Sequence, residues 1–278
     1  MIPSDSRLTT TPIGAAAFTR RGDTAVTWLG GAGFLINCRG TIILIDPVLS
    51  LSPDQAGCSE VGLKLKIALP MLAQDLPRVD YVLYTHSDSD HLGPITAPVL
   101  AQKGAKLFGT YRVYHALTQL GVSPQQAFVC REEESFDLGG GITVEVTPAD
   151  HPWQLKDLKR GGRPFRAGEC CGYILNTPDG RLFFPGDTRL MEAHLRIKNI
   201  DLLALDVSMC EYHLNHTSAA VLANNLPEAW LFPLHYGTYD SPQPAHHGDP
   251  RDVFKTVADG DRRGLLLPPG ESFVLKKM

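Results

Sequence analysis

Four side chains of metal-binding type, His86, Asp88, Asp90 and His91, fall within six positions in the stretch THSDSDHLGP from Thr85 to Pro94. They come directly after DYVLYT, a run rich in β-formers. The fold therefore has to carry a tight loop at a strand end, where alternate side chains can be aimed at one point. Imidazole and carboxylate together suit zinc, manganese or iron, and thiolate is absent. A helix cap would need one Asp or Ser, and two His with two Asp exceed that need.

The rest of the chain alternates short apolar runs with amphipathic stretches. AVTWL, GFLIN and TIILID read as three strands separated by GGA and CRG turns. ITAPVLAQKG reads as a helix, KLFG as a strand and YRVYHALTQLG as a helix closed by glycine. The second half repeats this grammar, with strands at ITVEVTP, GYILNT, RLFFPG, LLALDV and AWLFPL and helices at RLMEAHLRI, TSAAVLANNL and DPRDVFKTVA. Two sets of strands, each with helices, predict an α/β fold, a four-layer αββα sandwich with the sheets inside. A doubly wound single sheet is the competing arrangement. Against it, no G-x-G-x-x-G follows the first strand, and the early turns are too short for crossover helices.

The chain is expected to form one domain over residues 1–278, with 43% apolar and 20% charged residues. A formal charge of −4 gives no electrostatic reason to expect nucleic acid as a partner. No apolar run approaches the roughly 18 residues of a membrane span, and MIPSDSRLTT lacks the apolar middle of a secretion signal. These features point to a soluble, cytoplasmic protein. Cys38, Cys58, Cys130, Cys170, Cys171 and Cys210 are scattered without a C-x-x-C pair and read as reduced core thiols.

Further ligand types stand at other strand ends: His151 after ITVEVTPAD, Asp187 after RLFFPG and His235 after AWLFPL. Four strands delivering such sets to one edge of a sandwich would build a two-metal site. Among the other histidines, His213 reads as an ordinary surface or packed residue, His246 and His247 as a solvated loop, and His115 and His194 as structural. The segment KDLKRGGRPFR after His151 carries Lys156, Lys159, Arg160, Arg163 and Arg166 against Asp157. It is either a solvated face or a receptor for an anionic group.

The ordered set resembles the metallo-β-lactamase superfamily, whose signature is H-x-H-x-D-H followed by a distant His, a bridging Asp and a last His. Within it, WLGGAGFLI…IDP, the GDT around Asp187 and PLHYGTYD resemble the branch of L-ascorbate-6-phosphate lactonase and of phospholipase D enzymes acting on N-acyl-phosphatidylethanolamine. The resemblance runs from about Thr27 to Asp240. It implies the metallo-β-lactamase fold and two divalent metal ions (Zn, Mn or Fe). His86, Asp88 and His151 would hold one ion and Asp90, His91 and His235 the other, with Asp187 bridging. The resemblance also makes Asp90 an orienter of the attacking hydroxide. His216 stands where relatives carry a pocket histidine that donates a proton or contacts substrate; beside Thr217 it reads equally as a helix-entry residue.

Two positions depart from the pattern. Asp88 stands where a second histidine is usual, which hardens the site toward manganese or iron; flavodiiron relatives carry a carboxylate there too. Gly31 stands where the branch often has WLGHA. The expected activity is metal-dependent hydrolysis of an ester-type bond, a lactone or phosphodiester, in a small, anionic or lipid-like molecule. A nuclease and a di-iron redox protein are the alternatives. Substrate selectivity is expected to lie in the region from Ser50 to Leu76 and in the basic loop.

Overall fold

The computed structural model describes residues 9–152, 164–241 and 248–278. The first half runs β1 (Thr24–Gly30), β2 (Gly33–Cys38), β3 (Thr41–Ile45), β4 (Lys64–Leu65), β5 (Tyr81–Leu83), α1 (Thr96–Gln102), β6 (Lys106–Gly109), α2 (Tyr111–Gln119) and β7 (Ala127–Val129). There follow β8 (Ser135–Gly139), β9 (Ile142–Pro148), β10 (Cys171–Thr177), β11 (Gly180–Phe184) and α3 (Glu192–Arg196). The chain continues through β12 (Leu202–Asp206), α4 (Asn215–Asn225), β13 (Trp230–Leu234) and β14 (Tyr239–Asp240). It ends with α5 (Pro250–Phe254), α6 (Gly260–Arg263) and β15 (Ser272–Val274).

Among the described residues one sheet has the order β15-β1-β2-β3-β5-β6-β7 and the other β13-β12-β11-β10-β9-β8. Both begin as an antiparallel meander and continue with parallel strands, β3-β5-β6-β7 in one and β11-β12-β13 in the other. Period-two alternation assigns each strand face. In β3, Ile43 and Ile45 point into the core between the sheets, while Ile42 and Leu44 point to a second core under α1 and α2. On the far side of the second sheet, Ala219, Leu222 and Ala223 of α4 and Val253 and Phe254 of α5 complete the packing. Phe34 joins the sheets edge-on, with ring centroids 5.4 Å from Phe184 and 5.3 Å from Phe232. This is the α/β sandwich of the metallo-β-lactamase fold, helices outside and sheets inside.

Several local expectations need adjusting. The strand expected at DYVLYT stops at Leu83, because the Thr85 N–H leaves the ladder and donates to the Asp46 carboxylate at 2.8 Å. The helix expected from Thr217 begins at Asn215, whose side-chain oxygen accepts from the N–H of Thr217 at 3.0 Å and of Ser218 at 3.2 Å. Asn215, not Thr217, therefore does the capping. The helix at DPRDVFKTVA closes after Phe254. All six cysteines are free thiols, five of them buried. Among the described residues no helix is long and apolar enough to cross a membrane.

Two of the anchors of the region from Ser50 to Leu76 lie at β14 and at the start of α1. Lys64 and Leu65 pair with Asp240 and Tyr239. The Glu60 carboxylate accepts from the N–H groups of Ile95 and Thr96 and from the Thr96 hydroxyl. Ile95 offers α1 no side-chain cap, so Glu60 satisfies these amides from a distant stretch of chain and sets a negative charge at the positive end of the helix.

Candidate metal centre

Strand direction decides which ends meet. β10 is antiparallel to both of its neighbours, β9 and β11, and β11, β12 and β13 are parallel. The C-terminal ends of β9, β11, β12 and β13 therefore share one edge, and past them lie His151, Asp187, His213 and His235, with Asp206 the last residue of β12. In the facing sheet, β3 and β5 end at Asp46 and at the loop Tyr84–His91. The two edges together close a ring of imidazoles. Ring centroids are 4.0 Å apart for His86 and His91, 5.3 Å for His91 and His235, and 5.2 Å for His235 and His213. The ring closes through His213 and His151 at 5.0 Å and His151 and His86 at 5.1 Å.

Asp187 occupies the middle. Its Oδ2 lies 3.1 Å from His91 Nε2, 3.4 Å from His213 Nε2, and 3.9 Å from both His86 Nε2 and His151 Nε2. Its Oδ1 is 3.6 Å from His235 Nδ1. Asp88 Oδ2 lies 3.6 Å from His86 Nε2 and 3.5 Å from His151 Nε2. Donor atoms about 2.1 Å from a shared ion stand roughly 3–3.5 Å from one another, so these separations fit groups arranged around cations.

The backing of each ring sets which nitrogen faces inward. Asp46, 2% exposed, accepts from the Thr85 hydroxyl at 2.6 Å and from His91 Nδ1 at 2.9 Å. With its proton given to Asp46, the Thr85 hydroxyl can accept from His86 Nδ1 at 3.0 Å. His151 Nδ1 donates to the Tyr212 carbonyl at 2.9 Å. In all three, the Nε2 lone pair is left for the interior, as in a metal-ligating histidine held by an outer carboxylate or carbonyl. His86 Nε2, His91 Nε2, Asp88 Oδ1 and Asp187 Oδ1 are buried without a hydrogen-bond partner. Left so, each such atom costs about 1–3 kcal/mol; ions at the shared centre would satisfy all four.

Electrostatics agree. Burial would raise the Asp187 carboxyl, but His213, His235 and His91 around it hold it well below the ordinary carboxylate range. Burial penalises a charged His91, and Asp187 and Asp46 overcome that penalty to hold it well above the ordinary imidazole value. His235, opposed by burial, is likewise pushed up to about 9 by Asp187 and Asp206. His151 is raised as well, by Asp88 and Asp187 against its burial, whereas burial and the neighbouring His91 lower His86. Carboxylates that stay ionised and three imidazoles that gather protons mark a place built for positive charge. The backbone stores strain here as well: Asp46 and His235 sit at φ 43° and 60°, a region that costs non-glycine residues about 1–3 kcal/mol each.

Four groups offer ligand atoms within 4.8 Å of one another: His86/Asp88/His151, His86/His91/Asp187, Asp90/His91/His235 and Asp187/Asp206/His213/His235. The structure thus brings together all seven side chains that the resemblance marks as ligands. His216, in the first turn of α4, belongs to none of the four groups. Its Nε2 is nonetheless buried with no hydrogen-bond partner among the described residues. Lys156, Lys159, Arg160 and Arg163 of the basic segment, and His246 and His247, lie outside the described residues. Two centre residues escaped the sequence reading. His213, expected to be an ordinary residue, closes the ring, and Asp206 stands behind it. Asp206 ends the apolar run LLALD, the same signal that marked Asp187 and His235.

Two glycines shape the pocket. Gly186, beside Asp187, has φ +68°, and a Cβ there would lie 2.7 Å from Thr85 Cβ. Gly31 has φ +55°, and a Cβ there would meet the Tyr239 hydroxyl at 3.2 Å. Its amide donates to Thr238 Oγ1 at 2.8 Å and its carbonyl accepts from the His235 N–H at 3.1 Å. The ring of Tyr239 thus fills the space into which a side chain at position 31 would project. Phe165 packs against His86 and His151, at centroid distances of 5.6 and 6.0 Å, and the Arg112 guanidinium lies 5.0 Å from the Phe165 ring centre.

Residues 41–236 match the β-lactamase superfamily domain. A UPF0173 metal-dependent hydrolase of Anaeromyxobacter sp. (strain K) is 28% identical over 262 residues, 90% of this chain and 86% of that protein. The fold is similar to that of a possible metal-dependent hydrolase from Veillonella parvula (TM-score 0.69, 19% identity, 91% of this chain and all of that one). It is also similar to Igni18, a metallo hydrolase of Ignicoccus hospitalis (TM-score 0.65, 20% identity, 91% and 98%). With the family match spanning most of the chain and the strand ends converging as described, this chain belongs to the metallo-β-lactamase superfamily of metal-dependent hydrolases.

Proposed function

We propose that the centre holds two divalent metal ions and hydrolyses an ester-type bond, a lactone or phosphodiester, in an anionic small molecule or lipid-like substrate. His86, Asp88 and His151 would hold one ion, Asp90, His91 and His235 the other, with Asp187 between them. The observation that carries this reading is the convergence of inward-facing imidazole nitrogens on one buried carboxylate. Ions bound there supply a water nucleophile near neutral pH and offset the charge that develops on the substrate.

The protein's own groups do the rest. The Asp90 carboxylate orients the attacking water, and His216 Nε2, buried and without a partner, gives a proton to the leaving group. Phe165 covers His86 and His151 and keeps bulk water off their rings. Arg112, over the Phe165 ring, is paired with Glu169 at 3.6 Å, so the preference for an anionic substrate rests on the excess of Lys and Arg in the segment KDLKRGGRPFR. The lactonase and phospholipase D branch fits that preference.

Purified protein reconstituted with Zn²⁺, Mn²⁺ or Fe²⁺ is expected to bind about two equivalents and to cleave bis-p-nitrophenyl phosphate or members of a lactone panel. Asp187→Ala should abolish turnover. Less than one equivalent of any of these metals, or full activity in Asp187→Ala, overturns the reading.

A further inference from the structure

We propose that His213 is an additional metal ligand of this centre, positioned for that role by Asp206. The inference rests on the two-metal reading above and adds residues to it that the family's ligand pattern does not contain.

His213 repeats the arrangement seen at His86, His91 and His151. Its Nδ1 donates to a buried acceptor, Asp206 Oδ2, at 2.7 Å, and its Nε2 lies 3.4 Å from Asp187 Oδ2. The side chain is only 4% exposed. A histidine kept for packing looks different in this protein. His194, also buried, has Nε2 on the Pro148 carbonyl and Nδ1 accepting from the Met191 N–H, so backbone groups use both nitrogens and no carboxylate faces it.

Asp206 is built to hold this geometry. It is 1% exposed, and its Oδ1 accepts from the Ser208 N–H at 2.8 Å and from His235 Nδ1 at 3.1 Å, leaving Oδ2 for His213. One carboxylate thereby sets the orientation of two imidazoles, an outer-shell device that fixes tautomer and raises ligand basicity. The same loop fixes His151 through the Tyr212 carbonyl, so residues 206–213 brace one side of the ring. His213 stands between His151 and His235 and reaches the carboxylate that both ions would share. Asp88 brings a carboxylate where an imidazole is usual in the loop; His213 brings the number of imidazoles at the centre to five.

The test uses the full chain, stripped with chelator and titrated with Zn²⁺ by calorimetry. Wild type should take up two equivalents. Asp206→Asn should weaken one of them by about 10–100-fold, the usual range for loss of an outer-shell partner. His213→Ala should weaken the same equivalent at least as much and leave the other within about threefold. Unchanged affinities for both ions in His213→Ala overturn the proposal. Wild type without metal uptake instead overturns the two-metal reading and this inference with it. Should His213→Ala fail to fold, zinc-loaded wild-type crystals decide by anomalous scattering. An ion about 2.1 Å from His213 Nε2 supports the assignment, and ions bound to the other histidines but well beyond bonding distance of His213 refute it.

Discussion

Replacing Asp46 by Asn keeps the shape of the side chain and removes one acceptor, which isolates what the carboxylate does. Oδ1 accepts from the Thr85 N–H, while Oδ2 accepts from both the Thr85 hydroxyl and His91 Nδ1. With the amide NH₂ in place of Oδ1, two N–H groups confront each other in a site that excludes water. With NH₂ in place of Oδ2, His91 must accept at Nδ1 and carry its proton on Nε2, the nitrogen that faces Asp187. The Thr85 hydroxyl proton also loses its acceptor, and the nearest replacement is His86 Nδ1 at 3.0 Å, which would have to give up its own proton to accept it. Either outcome sacrifices at least one hydrogen bond to a charged acceptor, worth about 1.5–3 kcal/mol. The second also blocks a ligand nitrogen. The expected result is a loss of about 10–100-fold in zinc affinity, measured by chelator competition, together with a lower urea midpoint for the metal-free protein. An Asn variant with wild-type affinity and midpoint would refute the role assigned to Asp46 and the inward tautomers of His86 and His91 with it.

Three further outcomes follow from the same geometry. His235 in the metal-free protein sits at about 9 against roughly 6.5 when unfolded, facing Asp187, Asp206 and His91. Its contribution of about 3 kcal/mol is fully present below pH ~6.5 and is lost as pH rises through ~9. The depressed Asp187 and Asp206 carboxyls contribute above roughly pH 4 and lose that contribution as pH falls. Urea midpoints of chelator-treated protein should therefore drop from pH 6.5 to 9, and a flat profile would contradict the charge arrangement. Gly186→Ala combines a left-handed backbone with a 2.7 Å approach to Thr85 Cβ and should cost at least about 2 kcal/mol in thermal melts; a neutral effect would mean the turn into Asp187 is not so constrained. Asp88→His should fold and shift preference from Mn²⁺ or Fe²⁺ toward Zn²⁺ in competition experiments; an unchanged preference would remove Asp88 from the ligand set.

How much of the fold could be read in advance depended on how local its cause was. Strands β1, β2, β3, β10, β11, β12 and β13 announce themselves because both faces are largely buried and apolar runs are long; β9 does so by alternation, with Ile142, Val144 and Val146 buried and Thr143 exposed between them. β8 was not foreseen. Four of its five residues are exposed or half-buried, as an edge strand's can be, so SFDLG carries little apolar signal. The end of β5 was also beyond local reading, because what stops it is a carboxylate 39 positions earlier in the chain. The likeness between the two halves was legible as repeated strand-and-helix grammar, and it reappears as two sheets that both pass from antiparallel to parallel pairing.

The centre divides along the same line. His86, Asp88, Asp90 and His91 are legible as a set because one loop carries them, and His151, Asp187 and His235 because each follows a strand. Asp206 obeys that second rule, yet it closes a run that reads as pure core, and His213 lies seven residues on in a loop with no periodic cue. What joins them is topology. β10 runs against its neighbours, so it presents its N-terminal end, Cys171, at the site edge and supplies no ligand, while β11 beside it places Asp187 between the groups that follow β9 on one side and β12 and β13 on the other. Gly31 shows the limit from the other direction. An absent side chain there reads as a missing pocket residue, whereas Tyr239, 208 positions away and paired through β14 with the stretch around Lys64, occupies that space. Substitutions in Lys64–Leu65 or Tyr239–Asp240 therefore act on the wall of the metal centre even though neither segment contains a ligand.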